Sequence, residues 1–150
     1  MNPVAIADTN ALIRLLTPSF SGHREHVEAL ARIEHLVVSP MVMAELDYMI
    51  ARRASPEAAL KAARFIETNA ARRKFAVPGI GPHLSTAIAV ADGYRDADGG
   101  KGVGLVDAMN VALAAAYDTE VMFTSDKHFR MMRPLTGHEA FRLLPEDVDG

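Results

Sequence analysis

Five short apolar runs, spaced along the chain and separated by helical patterns, restrict this sequence more than any other feature. The runs are Pro3–Ala7, Leu36–Val38, Phe75–Val77, Val121–Thr124 and Phe141–Leu144. Each is too short for a buried helix and has no polar alternation, which reads as a strand covered on both faces. Between them lie helical stretches: Ala11–Leu16, His23–Glu34 with Val27, Leu30 and Ile33 on one face, and a helix from Pro40 to about Arg53. Others run from Pro56 to about Arg72, from His83 to Arg95, from Leu105 to Tyr117 and, briefly, from Lys127 to Met132. Ser39-Pro40 and Ser55-Pro56 each pair a capping hydroxyl with proline at the first helical position, a strong helix-start signal. Strands alternating with helices predict an α/β fold with a mainly parallel sheet of about five strands and helices on both faces. With 150 residues and no linker, repeat or low-complexity tract, a single domain over 1–150 is expected. The glycine-rich stretch Asp98–Gly104 reads as a loop, and the acidic end from Pro145 as frayed.

Within this frame the acidic residues stand out. Asp8 directly follows the first strand, and Asp126 comes two residues after the fourth. Open α/β sheets bind ligands beyond the carboxyl ends of their strands, so both lie where a site would form. Either acid alone also suits a helix cap. Asp107 is the only charged residue between Gly102 and Tyr117, in a helix otherwise built of Ala, Val, Leu and Met. A helix that apolar is expected to be buried, and a lone buried carboxylate costs several kcal/mol unless it is paired or binds metal. Asn110, at i+3, shares its face and suits either an orienting role or a packing amide. A further acid is expected on the helix after Pro40. Glu45 and Asp47 both have apolar neighbours at i±3 and i±4, and periodicity does not choose between them.

Clustered acids without a basic partner repel one another, and a divalent cation relieves that repulsion. Oxygen-only ligands favour Mg²⁺ or Mn²⁺ over zinc, and such ions suit phosphoryl chemistry. The chain has no cysteine, which removes disulfides and thiolate sites and fits a reducing cytoplasm. No signal peptide and no membrane span are expected from the hydropathy pattern. A net charge of −3 argues against a simple nucleic-acid coat, but not against an enzyme whose acidic ligands gain positive charge from bound ions.

These residues together resemble the PIN-domain ribonucleases, and within them the VapC-type toxins of type II toxin–antitoxin pairs. Ala7-Asp8-Thr9-Asn10-Ala11-Leu12 is similar to the family's strand followed by D-T-N/S, and Val106-Asp107-Ala108 to its x-D-A at a helix start. Thr124-Ser125-Asp126-Lys127-His128-Phe129 is similar to its T-x-D-x-x-F. The family places an acid a few residues into the helix after the second strand, which selects Glu45 over Asp47. The resemblance covers essentially the whole chain. It implies a three-layer α/β/α sandwich and a Mg²⁺- or Mn²⁺-dependent endoribonuclease acting on structured RNA such as tRNA or rRNA. Asp8 and Asp107 would be the main metal ligands and Glu45 and Asp126 would complete the set, with Thr9, Asn10, Asn110 and Thr124 as supporting hydrogen-bonders. Some members carry a further acid near Asn110, which here is an amide. The implied partners are a homodimer mate and a VapB-type antitoxin, with DNA bound only through the antitoxin.

Other functions fit less well. A haloacid-dehalogenase-type phosphatase would place a second Asp at position 10, where Asn10 stands, and a receiver domain would pair Asp8 with another acid. A PIN fold kept only as a binding module would have lost some of the acids, and here all are present. Gly99-Gly100-Lys101-Gly102 lacks the spacing of a phosphate-binding loop, which leaves Lys101 as a candidate RNA contact. Lys127, His128, Arg130 and Arg133 follow Asp126, so one or two are candidates to touch phosphate, Lys127 and Arg130 foremost. His23 and His26 sit in a polar helix start and read as a solvated face, and the basic runs Arg52-Arg53 and Arg72-Arg73-Lys74 as helix-end charges.

Overall fold

The computed structural model describes residues 2–148. Five strands form one sheet: β1 (Val4–Ala7), β2 (His35–Val37), β3 (Phe75–Ala76), β4 (Val121–Phe123) and β5 (Arg142–Leu144). Their order is β3-β2-β1-β4-β5, and every neighbouring pair is parallel. The connections therefore run one way from β1 to β3 and the other way from β1 to β4 and β5. The reversal falls between β1 and β4, where the crossover helices diverge and leave a crevice at the strand ends.

Successive strand residues face opposite cores, as the pleat requires. Ala5, Ala7, Leu36, Val121 and Phe123 face one core, with α1 (Thr9–Leu16), α2 (His23–Ala31), α3 (Pro40–Arg53) and α4 (Pro56–Ala71). Ile6, Val37, Met122 and Leu143 face the other, under α5 (Leu84–Gly93) and α7 (Leu105–Ala116). This is the three-layer sandwich expected. Both serine caps form as the sequence predicts: Ser39 Oγ accepts from Met41 N at 3.1 Å, and Ser55 Oγ from Ala58 N at 3.0 Å. The glycine-rich stretch is mostly loop. One turn, α6 (Ala97–Gly100), is broken by left-handed Asp98 and Gly99 (φ 53° and 66°). None of the helices described is long and apolar enough to cross a membrane.

Two expectations need correction. The helix from His23 ends at Ala31 rather than Glu34, because Glu34 N turns away to donate to Pro3 O and enters the sheet. Its inner face also differs: Val27 is 45% exposed, and His26 is 3% exposed. His26 Nδ1 pairs with Gly22 O at 2.7 Å and its ring meets Phe123 edge-on, so a residue that reads as solvated packs against the sheet. Nor is the segment from Pro145 frayed. Asp147 accepts from Leu143 N at 2.8 Å, and Arg130 holds Asp147 at 2.6 Å and Glu146 at 3.1 Å. Residues 149–150 lie outside the described residues.

Because a hydrogen bond to a charged group contributes about 1.5–3 kcal/mol when well formed, Asp147→Ala should lower stability by roughly 1–2 kcal/mol, its site being partly solvated. Urea unfolding measures the loss, and amide exchange at Leu143 should accelerate. An unchanged Leu143 amide would show that the turn is not what holds β5.

Candidate active site

The ends of β1 and β4 lie side by side, and this brings the first two acids together. Asp8 directly follows β1 and is also the N-cap of α1: its Oδ1 accepts from Thr9 N at 2.8 Å. The capping reading and the site reading are thus both satisfied by one carboxylate with two oxygens. Its Oδ2 accepts from Thr124 Oγ1 at 2.9 Å. Thr124 has one hydroxyl proton, and Asn10 Oδ1 lies farther from it at 3.3 Å, so the proton belongs to Asp8. Asn10 Oδ1 accepts instead from Ser125 N at 3.1 Å, tying the start of α1 to the loop after β4. Thr124 Oγ1 also accepts from Asp126 N at 2.9 Å. Asp126 caps the 3-10 turn Lys127–Arg130 by accepting from His128 N at 2.9 Å.

Asp107 enters from the other layer. Gly104 is the N-cap of α7, so Asp107, in the first turn, does not cap the helix. One turn on, fully buried Asn110 donates from Nδ2 to Ala7 O at 3.3 Å, which anchors α7 to the end of β1 beside Asp8. Asp107 and Asp126 each present a carboxylate oxygen, and His128 a ring nitrogen, with these atoms all within 4.8 Å of one another. Glu45 is exposed on α3, yet its charge acts on both Asp8 and Asp107. Asp47 acts on neither and instead lines a cleft between α3 and α4. The four acids expected from the sequence therefore share one electrostatic field, within which Asp107, Asp126 and His128 bring ligand atoms to within 4.8 Å of one another.

The electrostatics of that field are unfavourable for the protein alone. Burial is the main cause that pushes Asp107 up to about 7, with Asp8, Asp126 and Glu45 adding repulsion and His128 opposing it. Burial likewise pushes Asp8 up to about 6 despite the Thr124 and Thr9 hydrogen bonds, with Asp126 and Glu45 adding to the rise. Among the described residues, no Lys or Arg forms an ion pair with any of the four. Thr9 Oγ1 and Asn110 Oδ1 are buried and have no hydrogen-bond partner among the described residues. Acidic oxygens, neighbouring unpaired polar atoms and absent counter-charge fit a divalent cation.

The basic candidates divide. Lys127 is exposed one residue beyond Asp126, and Lys101 is exposed in the loop before α7. Arg130, also exposed, has its guanidinium committed to Asp147 and Glu146, so its place in this structure is a strap on the C-terminal turn. A cleft of about 430 Å³ beside the site is lined by His26, Ala29, Thr124, Ser125 and Lys127, but none of the four acids forms its wall. His128 is the residue that sequence reasoning underrated. It appeared only as one of several phosphate contacts, although its D-x-H spacing within a tight turn was the available signal.

The folded protein retains protons on Asp8 and Asp107 that the unfolded chain releases near 3.8. Their contribution is complete below that pH and is lost as pH rises through about 6 and 7. Metal-free Asp107→Asn should therefore be more stable than the parent by about 2–4 kcal/mol near pH 8, and by much less near pH 5. Urea unfolding in chelator at both pH values tests this, and an equal effect at both would remove the charge repulsion from the account.

Comparison with known proteins agrees with the geometry. Residues 5–133 match the PIN domain family model. The chain is 33% identical over 143 residues to "Ribonuclease VapC26" of Mycobacterium tuberculosis, covering 93% of this chain and 99% of that protein. Among solved structures, the fold is similar to Mycobacterium tuberculosis VapC20, a sarcin–ricin loop cleaving toxin (TM-score 0.68, 17% identity, 82% of this chain and 89% of that one). It is also similar to VapBC2 of Rickettsia felis bound to a promoter DNA fragment (TM-score 0.64, 15% identity, 89% and 96%). A toxin–antitoxin complex from Klebsiella pneumoniae is a third neighbour (TM-score 0.58, 22% identity, 90% and 98%). The switch-point site and the full-length match lead to one conclusion: the chain belongs to the PIN-domain family, related over nearly its whole length to a VapC-type ribonuclease.

Proposed function

We propose that this protein is a metal-dependent endoribonuclease, the toxin of a VapBC-type pair, that cleaves structured cellular RNA such as tRNA or rRNA. The observation that carries the reading is the convergence of Asp8, Glu45, Asp107 and Asp126 with no Lys or Arg ion-paired to any of them among the described residues. Such a set is unfavourable by itself and suited to Mg²⁺ or Mn²⁺. Asp8 and Asp107 are the principal ligands in this reading, with Glu45 and Asp126 completing the set. A divalent ion held there supplies charge neutralisation at the scissile phosphate and activation of water.

The protein's own groups do the positioning. Thr124 fixes Asp8 by donating to Oδ2, and the Thr9 amide holds Oδ1, so the carboxylate plane is set before ligand arrives. Asn10 braces the Ser125 amide, and Asn110 joins α7 to β1, fixing the separation of Asp107 and Asp8. Lys127 and Lys101, both exposed, are the candidate phosphate contacts. Arg130 is a weaker candidate, because an RNA contact would require it to leave Asp147 and Glu146.

The partners follow from the relatives. A VapB-type antitoxin is proposed from the kinship with toxin–antitoxin proteins, with DNA reached only through it. Exposed Leu84 and Ile88, one turn apart on α5, offer an apolar face to a second copy of the chain. A cytoplasmic location accords with an RNA target.

Purified protein should cut total cellular RNA into discrete fragments with Mg²⁺ or Mn²⁺ and stop in EDTA, and Asp8→Asn should reduce cleavage by roughly 100-fold or more. Gel analysis of cleavage by folded, antitoxin-free protein checks this. Full activity in the variant, or in EDTA, would reject the site.

A further inference from the structure

We propose that His128 is a nitrogen ligand of the metal site, so that this protein's centre prefers Mn²⁺ and later first-row ions to Mg²⁺. The inference rests on the metal-site reading above and concerns a residue at an open position of the T-x-D-x-x-F pattern.

Three features support it. First, the 3-10 turn Lys127–Arg130 begins immediately after Asp126 and carries the residue at i+2 back toward the carboxylate. The imidazole Nδ1 lies 3.1 Å from Asp126 Oδ1, and a ring nitrogen falls within 4.8 Å of donor oxygens on both Asp126 and Asp107. That spacing matches donors around one small ion. Second, the imidazole is held in place: Phe129, fully buried in the core next to it, pins the turn, while the His128 side chain is 49% exposed and its Nδ1 lies against both Asp126 oxygens. Third, an unpaired polar atom lies on the same helix as Asp107. Asn110 Oδ1, one turn from Asp107, is fully buried and has no hydrogen-bond partner among the described residues.

The choice of ion follows from the donors. Mg²⁺ takes hard oxygen ligands in near-ideal octahedral geometry and gains little from a nitrogen. Imidazole suits the first-row transition ions, whose affinity for nitrogen donors rises from Mn²⁺ onward. A neutral ring replacing a further carboxylate also lowers the negative charge of the set, which weakens purely electrostatic retention of Mg²⁺. A ring acting only as a hydrogen-bonded support for Asp126 would instead shift affinity for all divalent ions together.

Mn²⁺ alone is the probe. Electron spin-echo measurements on the Mn²⁺-loaded wild-type protein should show ¹⁴N modulation from a directly bound imidazole, and His128→Ala and His128→Gln should both abolish it. By titration, Mn²⁺ affinity should fall roughly tenfold or more in both variants while Mg²⁺ affinity changes by less than about threefold. Circular dichroism confirms that the variants fold. Mn²⁺ bound without nitrogen modulation, or equal losses for the two ions, overturns the His128 assignment and leaves the four-acid site standing. No Mn²⁺ binding by the wild-type protein overturns the metal site itself, and with it this inference.

Discussion

Asp8 is buried and Asp107 half-buried in a shared field of acidic charge, with no Lys or Arg among the described residues ion-paired to either, and the surrounding hydrogen bonds hold that arrangement. Asp8 is fixed by two hydrogen bonds at the end of β1, and Asp107 rides on a helix bonded to that same strand through Asn110. Burial lifts both above the usual carboxylate range. The acids gather where the strand order reverses, the place at which open α/β sheets bind ligands beyond the strand ends. Topology and electrostatics are thus coupled. A site of this kind requires adjacent parallel strands whose helices diverge, and the order β3-β2-β1-β4-β5 supplies one such place.

The surrounding hydrogen bonds form a connected brace rather than a set of separate pairs. Thr124 sits at its centre, donating to Asp8 and accepting from the Asp126 amide, while Asn10 takes the amide between them at Ser125. Thr124 and Ser125 after β4 are thereby registered to Asp8 and Asn10 after β1. The apolar layers beneath, with Phe123 on one face and Met122 and Phe129 on the other, make that registration rigid. Catalytic geometry in this fold depends on the packing of two cores that meet only through the sheet.

Much of this was legible in the sequence because it depends on local chemistry. Unbroken apolar runs gave the strands, serine–proline pairs gave two helix starts, and a lone Asp in an alanine-rich helix marked Asp107. What remained hidden depends on which face of an element turns inward. Glu45 and Asp47 have equivalent neighbours along α3, so periodicity leaves them open and the family resemblance is needed to favour Glu45; the tertiary field separates them physically, one acting on Asp8 and the other facing α4. His26 read as solvated because its flanks are charged, yet the helix is rotated so that this ring, not Val27, meets Phe123. Arg130 read as a free cation until the acidic C-terminal turn came back to meet it.

The central claim is that Asp107 is held in a strained charge state that a divalent ion relieves. Carboxyl ¹³C chemical shifts of the aspartates, followed against pH by NMR, measure this directly. The metal-free protein should show Asp107 titrating near 7, and saturating Mg²⁺ should move its midpoint into or below the ordinary carboxylate range. An Asp107 that titrates normally without metal, or whose midpoint ignores Mg²⁺, would contradict the account.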